Sequence, residues 1–139
     1  MAIVQTVNAR AIQDTNLSVT TALPAQGASV TSTAFDTGDN TNGIFPEFVD
    51  LLVTVPSTPS LASGGVITFT VLADTASTPT TVLSPSLTAT VTGTAGNGAA
   101  SSFRWKVPYN AGRYIGVQAS CGTTTGNNIS VSYTTQLLF

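Results

Sequence analysis

The side chains able to do chemistry are few, and they are grouped. Four of the six acids, Asp36, Asp39, Glu47 and Asp50, fall within 36–50 (DTGDNTNGIFPEFVD). Carboxylates among glycines and asparagines supply the oxygen ligands that a calcium loop uses. The spacing departs from the EF-hand order D-x-[DN]-x-[DN]-G-x5-E. Asp36, Asp39 and Asn40, with Gly38 and Gly43, therefore read as turn residues rather than metal ligands. A carboxylate pair for glycoside hydrolysis could be drawn from the same acids, but nothing in the sequence fixes their separation. The chain has no His, so Cys121 lacks the imidazole base that activates a catalytic thiol. It reads instead as a small buried apolar side chain in a strand. GTAGNG at 93–98 lacks the Lys and the following helix of a phosphate loop. The expectation is a protein with no catalytic residues and no cofactor, one that works through its surfaces.

Three of the four basic residues, Arg104, Lys106 and Arg113, gather around one hairpin. A solvated strand face accounts for them; a contact with an acidic partner surface is the sharper reading. Trp105, Tyr109 and Tyr114 lie nearby. Clustered aromatics can form a platform for sugar rings, but Trp105 alternates in phase with Phe103 and Val107 and so reads as core. Tyr109 and Tyr114 read as sheet-edge residues with wet hydroxyls. No basic stripe exists to neutralise phosphates, which argues against nucleic acid. No apolar run approaches the roughly 20 residues of a spanning helix, which argues against a membrane.

The elements that must carry these residues are strands. From residue 17 onward Val, Ile, Thr, Phe and Tyr dominate, punctuated by Gly, Pro, Asn and Asp. Period-2 alternation predicts strands at 47–55 (Val49, Leu51, Val53, Val55 on one face), 66–73 (Ile67, Phe69, Val71) and 87–92 (Leu87, Ala89, Val91). It predicts further strands at 101–107 (Phe103, Trp105, Val107), 113–121 (Ile115, Val117, Ala119) and 129–136 (Ile129, Val131, Tyr133). Weaker strands are expected at 17–23 and 28–35. About eight short strands with some long connections predict an all-β fold, a jelly roll or Greek-key β-sandwich. Residues 1–16 read as an N-terminal arm or short strand, and 17–139 as the β-sandwich domain.

Charged residues make up 7% of the 139 residues, and the net charge is −2, where about 25% charged is usual. A surface of Thr, Ser and Gly suits being covered by other protein. The start MAIVQ has neither a basic n-region nor an apolar h-region, which predicts a protein made and left in the cytosol. The end, Gln136-Leu137-Leu138-Phe139, is apolar where chain ends are usually polar. It is expected to be buried, against its own sheet or in a neighbouring subunit.

One stretch carries a resemblance: Val107–Gln118 (VPYNAGRYIGVQ), then the turn Gly122–Asn128 and a last strand from Ile129. Upstream, Ile67–Val71 (ITFTV) runs into Leu72-Ala73-Asp74. In these motifs the chain resembles the small capsid cement (decoration) proteins of short-tailed bacteriophages, of the Bordetella-phage type. That family often has a further charged residue after its Arg-Tyr pair, where this chain has Gly116. The resemblance implies a jelly-roll or sandwich domain on the outside of a virion, assembled in the host cytoplasm. It would bridge and stabilise the major capsid protein. A homo-oligomer, dimer or trimer, is the expected form. The residues expected to touch a partner are Ile3, Val4, Val7 and Arg10 in the arm, Arg104, Lys106 and Arg113 at the hairpin, and Leu137, Leu138 and Phe139 at the end. The alternative is a carbohydrate- or receptor-binding β-sandwich module.

Overall fold

The computed structural model describes residues 13–37, 49–108 and 111–138. Within them the chain is all β, with nine strands and no helix. They are β1 (Gln13–Ala22), β2 (Ser29–Thr31), β3 (Phe35–Asp36), β4 (Asp50–Val55), β5 (Val66–Asp74), β6 (Thr88–Thr92), β7 (Ser101–Lys106), β8 (Tyr114–Cys121) and β9 (Ser132–Leu138). β1 begins at Gln13, inside the stretch read from sequence as arm or short strand.

Two antiparallel sheets form, one in the order β1-β9-β4-β7 and the other β2-β8-β5-β6, with β3 also paired to β8. β2 and β3 share one edge of β8 and behave as a single interrupted strand. Ser32 spans the interruption: its N–H donates to the Val117 carbonyl (2.9 Å), and its hydroxyl accepts from the Val117 N–H (3.0 Å). The pairings are nested. β5 pairs with β6, β4 with β7, β2 and β3 with β8, and β1 with β9.

The alternation seen in the sequence becomes the sandwich interior. Leu51, Val53 and Val55 of β4 and Ile67, Phe69 and Val71 of β5 are fully buried. So are Ile115, Val117 and Ala119 of β8. At roughly 25 cal/mol per Å² of apolar surface removed from water, each of these Val, Leu, Ile and Phe side chains contributes about 1.5–3 kcal/mol before chain entropy is counted. The aromatic centre joins the two sheets. Tyr133 of β9 meets Phe69 of β5 edge-on at 5.3 Å, and Phe69 lies 6.0 Å from Phe103 of β7. Trp105 is half-buried and stacks with Phe103. It belongs to the core rim, as its phase with Phe103 implies.

Tyr133 also bolts one sheet to the other. Its ring is fully buried, and its hydroxyl donates across the core to the Val117 carbonyl of β8 (2.9 Å). Burial pushes its phenol up to about 12. A phenol raised above its unfolded value near 10 binds a proton more tightly when folded. Its stabilising effect is complete below pH 10 and is lost as the pH climbs towards 12. Stability is therefore expected to fall by about 2–3 kcal/mol over that window. Urea unfolding at stepped pH checks this, and Tyr133→Phe is expected to flatten the decline.

The last predicted strand is shorter at its start than its alternation suggested. Ile129 is 53% exposed and outside β9, which begins at Ser132. The cause is Asn128. It is buried, its side-chain carbonyl accepts the Ser60 N–H (3.0 Å), and its own carbonyl accepts the Val131 N–H (2.9 Å). Residues 128–131 therefore form a turn.

Candidate functional site

The grouped charges pair with one another. Arg113, just before β8, makes a bidentate contact with Asp36 of β3, with Nε–Oδ1 at 2.7 Å and the second nitrogen to Oδ2 at 2.8 Å. The pairing follows from register, since Asp36 lies opposite Tyr114. The Arg113 guanidinium also sits 5.1 Å from the centre of the Tyr114 ring, close enough for a cation–π contact. Arg104 of β7 bonds Asp50 of β4 at 2.6 Å, a diagonal contact two residues along the ladder in which Asp50 faces Lys106. Asp36 and Asp50 of the acidic group thus pair within the chain with Arg113 and Arg104 of the basic group, at the end of the sandwich where β3 and β7 finish and β4 and β8 start. Exposed pairs of this kind contribute about 0–1 kcal/mol. Arg104→Ala and Arg113→Ala are each expected to change stability by less than about 1 kcal/mol, which denaturant midpoints will show.

The other expected contact residues are distributed differently. Ile3, Val4, Val7, Arg10 and Phe139 lie outside the described residues, as do Asp39, Glu47 and Tyr109. Leu137 is 1% exposed and Leu138 8%. Both belong to β9, flanked by β1 and β4, so the apolar end packs against its own sheet. Both leucines are thus covered by their own chain. The inward phase that buries Tyr133 and Thr135 also buries Leu137. Lys106 is exposed on an edge strand. Cys121 is buried, its thiol is raised by burial, and its Sγ approaches the Pro24 carbonyl (3.6 Å). Asp74 is held below the usual carboxylate range chiefly by the Thr75 N–H (2.7 Å), with Thr80 and Thr81 hydroxyls donating to its other oxygen. It therefore caps its own loop. Among the described residues no three of Cys, Asp and Glu come together.

Away from Asp50, Arg104 and Lys106, what the sheets present outward is mostly hydroxyl groups in rows. On the first sheet, register aligns Thr20, Thr134, Thr54 and Ser102 across all four strands. The Thr20–Thr134 and Thr54–Ser102 oxygens are each 3.4 Å apart. On the second sheet, Ser29, Ser120, Thr68 and Thr90 form one row, and Thr31, Gln118, Thr70 and Thr88 the next. Ser29 donates to Ser120 at 3.0 Å. With adjacent strands about 4.8 Å apart, each row is a regular ladder of donors and acceptors carrying no charge. A shallow groove of about 540 Å³ lies over the first sheet, lined by Thr54, Ser102, Ser132 and Thr134 among others. A second, of about 440 Å³, lies between Thr31–Ala34 and Ser77–Thr80. The strand-wise Thr periodicity was visible in the sequence. Its alignment into rows required the long-range register.

The arrangement holds no activated nucleophile and no convergent carboxylates among the described residues. It suits extended, neutral, hydrogen-bonding contact. Compared with known proteins, the chain matches no family model and no curated sequence.

Proposed function

We propose that this protein is a structural virion component that binds the outside of a bacteriophage capsid and cements the major capsid shell. The observation carrying the proposal is the nested strand pairing, β5–β6 inside β4–β7 inside β2/β3–β8 inside β1–β9. We read that order as a wound-up double Greek key, the jelly roll, an architecture used by viral capsid proteins and by lectins. The neutral hydroxyl faces favour the first over the second. A sugar platform needs aromatic faces turned outward, whereas Trp105 and Phe103 turn inward against the core. A cement engages a repeating shell, so modest affinity at each copy is multiplied by symmetry.

The test is co-sedimentation of the purified protein with empty heads of the phage that encodes it. Binding, and a rise in the temperature at which decorated heads open, is the expected result. Heads that neither bind the protein nor gain heat resistance would overturn the reading. Tyr114, outward beside Arg113, is the one aromatic described that favours the carbohydrate alternative. Glycan-array binding lost on Tyr114→Ala would favour that alternative.

A further inference from the structure

The four sheet edges are not treated alike. A bare edge is a template for pairing with another chain, and proteins block it with charge, proline, bulges or brevity. β7 carries Arg104 and Lys106. β2 and β3 are three and two residues long, with a break between them. β1 contains Asp14 and a register irregularity between Gln13 and Ser18. β6, Thr88-Ala89-Thr90-Val91-Thr92, has none of these devices, and its pairing with β5 is regular.

Hydrogen-bond parity shows what the β6 edge offers. The Leu87 carbonyl accepts the Val71 N–H (3.0 Å), and the Gly93 N–H donates to the Gly65 carbonyl (2.8 Å). Residues 87, 89, 91 and 93 thus face β5, so the N–H and C=O groups of Thr88, Thr90 and Thr92 point away from it. Among the described residues no strand but β5 pairs with β6. The segment is also symmetric about Thr90. Reversed, Thr-Ala-Thr-Val-Thr keeps Thr at the outer-face positions and a small apolar residue at the inner ones. Along the same side of the sandwich, Leu87, Ala89, Phe103 and Trp105 are only half-buried, whereas the inward residues of β4 and β5 are fully buried.

We infer that β6 pairs antiparallel with β6 of a second copy, about a two-fold axis through Thr90. Thr90 faces its own counterpart, and Thr88 faces Thr92 on each side. The outward-pointing groups then form roughly six backbone hydrogen bonds. Ala89 lies opposite Val91 of the second copy on the inner side, and the half-buried rim gains cover. The second sheet runs on from one copy into the other, and its Ser/Thr rows become continuous. A two-fold contact must be self-complementary, and this segment is. The inference does not depend on the capsid reading, because it concerns the isolated protein.

Sedimentation of the full chain over a range of micromolar concentrations tests it. The expected mass is twice the 14.1 kDa of one chain. Thr90→Lys sets like charges face to face at the axis and is expected to weaken the dimer by at least about tenfold. Thr90→Pro removes a donor only on the open side, where an edge strand tolerates proline, and is expected to do the same. Circular dichroism and thermal melting of both variants check that the monomer fold survives. Thr90→Cys gives a probe independent of stability. Facing residues in such a pair have Cα atoms about 5.5 Å apart, inside the disulfide range. Mild oxidation is expected to give a covalent dimer with Thr90→Cys and none with Ser102→Cys, while buried Cys121 stays inert. A wild-type protein that remains at one chain mass overturns the inference. So does a dimer that persists in folded Thr90→Lys and leaves Thr90→Cys uncrosslinked.

Discussion

Gly93→Ala is expected to cost on the order of 3–5 kcal/mol, enough to remove much of the stability of a domain this size. A Cβ at Gly93 would be driven into the Ala62 carbonyl oxygen and would stand 2.7 Å from that of Leu61. Both are backbone atoms, so no side-chain rotation relieves the clash. Moving the strand end is no remedy, because Gly93 is held on both sides: its N–H donates to Gly65, and its carbonyl accepts from Gly64 (2.9 Å). The segments after β4 and after β6 are thus locked face to face, with Thr58 and Gly98 exchanging two further backbone bonds at 2.9 Å each. Equilibrium unfolding in urea measures the loss. A fall below about 1 kcal/mol would show that the 58–65 segment yields.

Phe69→Ala is expected to cost about 3–5 kcal/mol. Phe69 is fully buried and touches aromatic rings of the opposite sheet on two strands. Truncation removes the transfer free energy of the ring and leaves a cavity between two hydrogen-bonded sheets that have little freedom to close it. Phe69→Leu, which keeps most of the volume, is expected to lose less than half as much. Calorimetric melting of the two variants beside the wild type separates the volume effect from the loss of the edge-on contact with Tyr133.

The strands were legible because their cause is local. One buried face imposes period 2, and 66–73, 101–107 and 113–121 each show it. The corresponding strands begin and end within about one residue of those spans. Where a different force ruled, the pattern misled. Ile129 sits in phase with Val131 and Tyr133, but the buried Asn128 side chain bends the chain there. The burial of Leu137 was half-legible, since an apolar end announces burial without naming what covers it. The charges were the least legible. Asp36 and Arg113 are 77 positions apart, and Asp50 and Arg104 are 54 apart. Only the ladder register brings them together. The same holds for the hydroxyl rows, which are assembled from four strands each.

The nested pairing has a consequence for how the protein is made. Among the described residues the first strand, β1, pairs only with β9, and β9 lies between β1 and β4 in the middle of its sheet. At about 5–20 residues per second of synthesis, roughly 110 residues separate the emergence of β1 from that of its partner. For on the order of ten seconds β1 leaves the ribosome with no strand to pair with, and the first sheet has no centre. The adjacent β5–β6 pair can close long before that. Order in this molecule is therefore expected to spread from β5–β6 outwards, and the first sheet is not complete until β9 has been made.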